Sequence, residues 1–200
     1  MREAEIKLAL THHLAASLPD EPFHFLEEVE LNGGEIRADF VQVKDMHCYE
    51  IKSEADSLKR LIGQGSRYAR VFDQITLVTA ECHLKKAMPM LPPWWGVMVV
   101  PEEAGKAFKQ VRKAKPNKRH EPDVLVTLLK REEALQILEE LGITRGFKSK
   151  SLYVIHAKVA ELLPLSELKE RVRQCLIDRA RTSISTALGA RKRCGDSRPQ

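Results

Sequence analysis

Cysteine is scarce in this chain: Cys48, Cys82, Cys175 and Cys194 are the only four in 200 residues, and no two form a CxxC pair. That spacing excludes a dense disulfide framework and implies reduced thiols, as in a cytosol. The seven histidines include His12-His13, but no HxxxH or Cys/His set has zinc-ligand spacing, so a structural zinc is not expected. Long apolar runs are also missing, and no segment approaches the roughly 20 residues needed to cross a bilayer. The start, Met1-Arg2-Glu3-Ala4-Glu5, has no apolar stretch of the signal-peptide kind, so a cytoplasmic location without membrane contact is the expectation. Repeats and low-complexity tracts are absent. What remains is a chain with 43% hydrophobic residues, enough to fill one generous domain or two small ones. Its formal net charge of +5 favours a polyanionic partner without requiring one.

The densest chemistry lies between Ile36 and Lys52. Two strand-like runs, 36–43 and 48–52, flank a four-residue interruption at 44–47, the pattern of a β-hairpin. Pairing Val43 with Cys48 sets Asp39 opposite Lys52 and places Glu50 one diagonal step away on the same face. Tyr49 and Ile51 then face the other way. Two carboxylates and an ammonium on one surface suit a hard divalent cation, with the lysine orienting a water or stabilising developing charge. A surface hairpin carrying an Asp39–Lys52 ion pair accounts for the same spacing.

Asp39 followed by Glu50-Ile51-Lys52 on the next strand resembles the motif of the PD-(D/E)xK nuclease superfamily, with Ala38 where proline often stands. Gln64-Gly65-Ser66-Arg67-Tyr68 resembles the QxxxY helix of its RecB-like members. The order strand, strand, helix and then strand Ile75–Thr79 is similar to that fold over the first half of the chain. Small bacterial proteins of similar layout also share a paired-tryptophan strand and a helical C-terminal half. The resemblance implies an α/β, restriction-endonuclease-like core, a mixed central sheet flanked by helices, followed by a small all-α domain. It also implies Mg²⁺, with Mn²⁺ as a substitute, held by Asp39, Glu50 and the Ile51 carbonyl. Lys52 would position the attacking water, and Gln64 and Tyr68 would support the site. Glu5 or Glu3 on the first helix, and Glu28 on the first strand, are additional acids that the resemblance brings near the metal. Ordinary roles at a helix start or on a solvated strand face compete with that reading.

The remaining elements follow from periodicity. Ile6, Leu10, Leu14 and Leu18 stripe a helix over 3–18, and 23–31 reads as a strand ended by Asn32-Gly33-Gly34. Arg37, two before Asp39, either holds that carboxylate ionised, touches a phosphate or makes a plain ion pair. Ser53 or Asp56 is expected to cap a helix reaching about Val71, with Leu58, Leu61, Ile62 and Tyr68 inward. A short helix over 81–90 and a strand over 96–100 come next, with Trp94 and Trp95 read as core residues. Residues 105–122 read as a basic linker in which Lys106, Lys109, Arg112, Lys113 and Lys115 could meet phosphates or simply be solvated. Helices are expected over 123–188, with breaks at Gly142 and Gly146 and a faint likeness to a SAP-type DNA-binding module, then a basic tail over 189–200.

The sequence therefore predicts a metal-dependent nuclease acting on nucleic acid, most simply DNA, and open to acting as a homodimer. A non-catalytic nucleic-acid-binding or adaptor protein on the same fold is the principal alternative, and an unrelated α/β protein is the third.

Overall fold

The computed structural model of the chain describes residues 1–16, 25–101, 103, 106–143 and 145–195, with the backbone alone from 184 onward. Helix α1 (Glu3–Ala16) opens the chain, and β1 (Phe25–Leu31), β2 (Ile36–Gln42) and β3 (His47–Lys52) follow as an antiparallel meander. Helix α2 (Leu61–Tyr68) carries the chain to β4 (Gln74–Thr79), and α3 (Glu81–Ala87) to β5 (Gly96–Val99). These strands run parallel to β3, and β6 (Lys109–Arg112) closes the far edge antiparallel. The sheet order is β1-β2-β3-β4-β5-β6. Both crossover helices put their buried residues, Leu61 and Tyr68 of α2 and Ala87 of α3, on one face of the sheet, while Ile6 and Leu10 of α1 cover the other. The result is a mixed α/β fold with a sheet flanked by helices and followed by a helical region. Leu18 and Phe23, expected in the first helix and strand, lie outside the described residues.

The hairpin has a different register from the one expected. Phe40 pairs with Tyr49, Val41 with Cys48 and Gln42 with His47, so Asp39 falls opposite Glu50 rather than Lys52. The reversal uses residues 43–46: Met46 is buried in a left-handed conformation (φ 46°) and its carbonyl accepts the Asp73 N–H at 2.9 Å. His47 is freed to begin β3, where its ring stacks on Tyr49 and its Nε2 lies 2.8 Å from Thr76 Oγ1. Because the slip amounts to two residues, the paired side chains from Phe40 to Gln42 and from His47 to Tyr49 keep their expected faces.

Three further expectations change. Ser57 Oγ, not Ser53 or Asp56, accepts from the first turn of the helical segment leading into α2, and Asp56 instead accepts from the Ser53 N–H and hydroxyl. Ile62 is exposed. Residues 105–122, read as a basic linker, contain β6, whose Lys109 faces solvent as suits a sheet edge. The following stretch is pinned by backbone N–H donation from Lys115 to Trp94, Asn117 to Asp73 and Glu121 to Arg70. Charge pattern does not reveal such bonds.

Helices α4 (Pro122–Leu125), α5 (Arg131–Glu140), α6 (Leu152–Leu162) and α7 (Leu165–Gly195) make up the C-terminal region. The Gly142 break is real, with φ 81° just past α5. Leu168, Val172, Leu176 and Ala180 stripe the inner face of α7. Leu125, Leu138, Val159 and Val172 belong to the same apolar cluster as Val29, Leu77 and Trp95, so one core runs through both halves. The tail expected from 189 is helical through Gly195, and 196–200 lie outside the described residues.

Asp73, at the mouth of β4, clamps this assembly. Its carboxylate meets Lys169 Nζ at 2.5 Å, His120 Nε2 at 2.8 Å and Arg173 at 3.3 Å. Burial by itself would raise its pKa, but hydrogen bonds from His120 and Lys169 outweigh that and hold it below the usual carboxylate range. A depressed folded-state pKa adds stability that is present above about pH 4 and lost as pH falls. Asp73→Asn is expected to cost roughly 2 kcal/mol at pH 7. In denaturant titrations the deficit against wild type should shrink steadily below pH 4.

Candidate functional site

The site grows from a phase slip in the sheet. Leu26 and Val29, three residues apart, pack on one cluster, as do Ala38 and Val41, although strict alternation would put each pair on opposite faces. The slip occurs at Glu28, which has φ 52°, across from Asp39. A left-handed non-glycine residue costs roughly 1 kcal/mol or more, so surrounding contacts must enforce it. At the same level β2 and β3 lose their regular pairing, and the Asp39 carboxylate takes the Ile51 N–H at 2.7 Å in place of a backbone carbonyl.

Beneath this opening Glu50 has no solvent exposure. Its Oε1 receives Lys52 Nζ at 2.5 Å, and its Oε2 lies 2.8 Å from the Tyr68 hydroxyl. That hydroxyl is also 2.8 Å from the Arg37 carbonyl oxygen and accepts from Gln64 Nε2 at 3.4 Å. Gln64 and Tyr68 share a helical face, as their spacing predicts, and through the Tyr68 hydroxyl that face meets Glu50. They are steered there by Gly65, where a Cβ would stand 2.7 Å from Trp95. Asp39 is half-buried, and its pKa is pushed up to about 7, first by burial and then by the nearby Glu50 charge.

Above Asp39 lies a polar cleft of about 760 Å³, with Glu3, Glu28 and Asp39 among its acids and Arg37, Lys59, Arg60 and Arg67 on its rim. Glu3, Glu28 and Asp39 each offer a carboxylate oxygen within 4.8 Å of the others. The donor set is all oxygen, and Asp39 already carries the like-charge repulsion that a cation would relieve, so these residues fit a hard divalent ion. The slightly larger groove between α5 and α7, about 860 Å³, has no such cluster; there Arg171 pairs with Glu140 and Arg179 with Glu133.

Asp39, Glu50, Lys52, Gln64 and Tyr68 converge, with Ile51 supplying its N–H to Asp39. Glu28 joins them, and Arg37 Nε stands 3.6 Å from Glu28 Oε2. Glu5 does not join: its carboxylate accepts the Arg2 N–H at 2.7 Å at the start of α1, and Glu3 is the acid facing the cleft. Lys106, Lys109, Arg112, Lys113 and Lys115 lie along β6 and its flanks, beyond β4 and β5 from this hairpin. Lys106 pairs with Glu103, and Arg112 spends its guanidinium on the carbonyls of Trp95 and Pro92. Sequence reasoning missed Lys7 and, apart from Arg37, the basic rim. Lys7 stands one helical turn from Glu3, which signals a local ion pair, but nothing in the sequence signals its contact with Glu28.

The class so defined is a mixed α/β protein with an acid-and-lysine cluster at the splayed end of its central hairpin. The family model described as Bacteriophage P4 protein cII matches residues 1–199, and the chain belongs to that family. Protein cII of Enterobacteria phage P4 is 27% identical over 146 residues, covering 72% of this chain and 55% of that protein. The chain thus spans about half the length of this relative. Among solved structures, a protein of unknown function from Silicibacter pomeroyi matches with a TM-score of 0.44 at 18% identity, over 76% of this chain and 97% of that one.

A raised folded-state pKa at Asp39 gives stability that is present below about pH 4 and lost as pH rises through 7. In EDTA, Asp39→Asn is therefore expected to be more stable than wild type at pH 8, by roughly 2–4 kcal/mol, and to lose that advantage at pH 4. Tyr68→Phe removes the one hydroxyl proton shared between the Glu50 carboxylate and the Arg37 carbonyl, and should cost about 1–3 kcal/mol in equilibrium unfolding.

Proposed function

We propose that this protein is a metal-dependent phosphodiester hydrolase acting on nucleic acid, most simply DNA. The observation that carries the proposal is the convergence of Asp39, Glu50 and Lys52, of which Asp39 opens into an acid-lined cleft whose rim is basic. The meander, the crossover through α2 and the parallel β4 are what a restriction-endonuclease-like core requires, and the Gln64–Tyr68 pair on Glu50 is what its RecB-like members lead one to expect.

Asp39 and Glu50, with the Ile51 carbonyl, are the residues to hold Mg²⁺ or Mn²⁺, and Glu28 and Glu3 each place a carboxylate oxygen within 4.8 Å of one on Asp39. When bound, such an ion supplies Lewis-acid polarisation of a phosphoryl oxygen and acidifies water. Lys52 orients the attacking water in line with the departing sugar oxygen and offsets negative charge as it develops. Tyr68 and Gln64 fix Glu50, while Arg37, Lys59, Arg60 and Arg67 receive phosphates beside the scissile one without reading bases. Lys59 and Arg60, exposed and without ion-pair partners among the described residues, are free to do so. The basic edge at β6 offers further phosphate contacts. One cleft cuts one strand, so duplex cleavage calls for two copies. Free Cys48, Cys82 and Cys175 suit a cytoplasmic setting, and among the described residues no helix is long and apolar enough to cross a membrane.

A second reading, a nucleic-acid-binding protein without hydrolysis, is favoured by one observation: Glu50 is fully buried with both oxygens already engaged. The two readings separate in a cleavage assay on plasmid, end-labelled linear and single-stranded DNA with Mg²⁺ or Mn²⁺. Wild type is expected to cut at least one substrate, with activity lost in EDTA and reduced at least a hundredfold in Asp39→Ala and Lys52→Ala. Salt-sensitive binding with no cleavage would select the second reading.

A further inference from the structure

The acidic cluster already has a cation in it. Lys7 projects from α1 with only 10% of its side chain exposed. Its Nζ lies 2.5 Å from Glu28 Oε1, 2.9 Å from Glu3 Oε1 and 4.0 Å from Glu27 Oε2. Glu28 and Glu3 are two of the three residues whose oxygens gather with that of Asp39. Arg37 Nε stands 3.6 Å from the other Glu28 oxygen, so that carboxylate has a positive charge on each side. Burial by itself would lower the Lys7 pKa, but the hydrogen bonds that its ammonium donates to Glu28 and Glu3 outweigh it and raise the pKa, keeping the ammonium charged.

We propose that Lys7 is a tethered cation that shares the Glu3 and Glu28 carboxylates with the divalent ion and thereby weakens and tunes the cleft's affinity for it. The inference rests on the reading of the cleft as a divalent-cation site. Lys7 has two opposed effects there. It holds Glu3 and Glu28 in place, which favours any cation that uses them, yet its own charge repels a divalent ion drawing on the same oxygens. Ion pairs with partly exposed glutamates are weak, since water competes for them, whereas the repulsion acts on a doubly charged ion at a half-buried site. Repulsion therefore dominates. Lys7 is a positioning residue in this scheme, because it acts on the carboxylates and needs no contact with substrate.

The test is calorimetric titration of Mn²⁺ into the full chain at pH 8 and fixed ionic strength, comparing wild type, Lys7→Met and Lys7→Arg. Circular dichroism checks each fold, and Lys7→Gln replaces Lys7→Met if the latter does not fold. Lys7→Met is expected to bind Mn²⁺ at least tenfold more tightly than wild type, and the charge-conserving Lys7→Arg within about threefold of it. If wild type binds and the neutral variant binds equally or more weakly, the role given to Lys7 is wrong while the cation site stands. If no variant binds Mn²⁺, the cation site itself is wrong, and the inference falls with it.

Discussion

A carboxylate with no solvent exposure sits at the centre of the sheet, and the surrounding structure answers to it. Glu50 lies on β3, flanked by β2 and β4, where an unpaired charge would be prohibitively costly. Lys52 satisfies one oxygen and Tyr68 the other. Each partner has its own support: Lys52 shares the strand, and Tyr68 reaches the site because α2 packs Gly65 directly against the Trp95 ring. The tryptophan at the start of β5 therefore bears on the site without touching it, and the sheet, the crossover helix and the acid cluster become one mechanical unit.

The second constraint lies at the edge of that unit. Where β1 and β2 slip phase at Glu28 and Asp39, side chains that would have been spent on a regular ladder are turned toward a cleft. A gap in pairing exposes backbone donors, and Asp39 takes up one of them, the Ile51 N–H. The same carboxylate stands near Glu50, so opening the sheet and concentrating negative charge are one event. Asp73 plays the corresponding part at the far end of the hairpin axis, tying the start of β4 to α7 and to the segment after β6. The helical region thereby shares the core of the sheet and limits how far the two halves can part.

Much of this was legible in the sequence because it rests on short-range spacing. Alternation set the faces of β3 and of Phe40 to Val43 correctly but failed at Ala38, beyond the phase slip, and helical periodicity put Gln64 and Tyr68 on one face. The register was not legible, because it is fixed by the burial of Met46 and by its carbonyl bond to the Asp73 N–H, a contact across 27 residues. Residues 105–122 misled for a related reason. A short polar edge strand set among lysines and a solvated linker have the same composition, and only pairing with β5 separates them. Lys7 escaped notice because its partner Glu28 is 21 residues away, and the left-handed backbone at Glu28 has no glycine to announce it.

The account's central claim is that Asp39 and its neighbouring acids gather a divalent cation. The most direct measurement is anomalous diffraction at the manganese edge from crystals of the full chain grown in Mn²⁺. The account predicts a strong peak between the Asp39 carboxylate and one or more of Glu50, Glu28 and Glu3. An ordered cleft with no peak there, in crystals saturated with Mn²⁺, would contradict it.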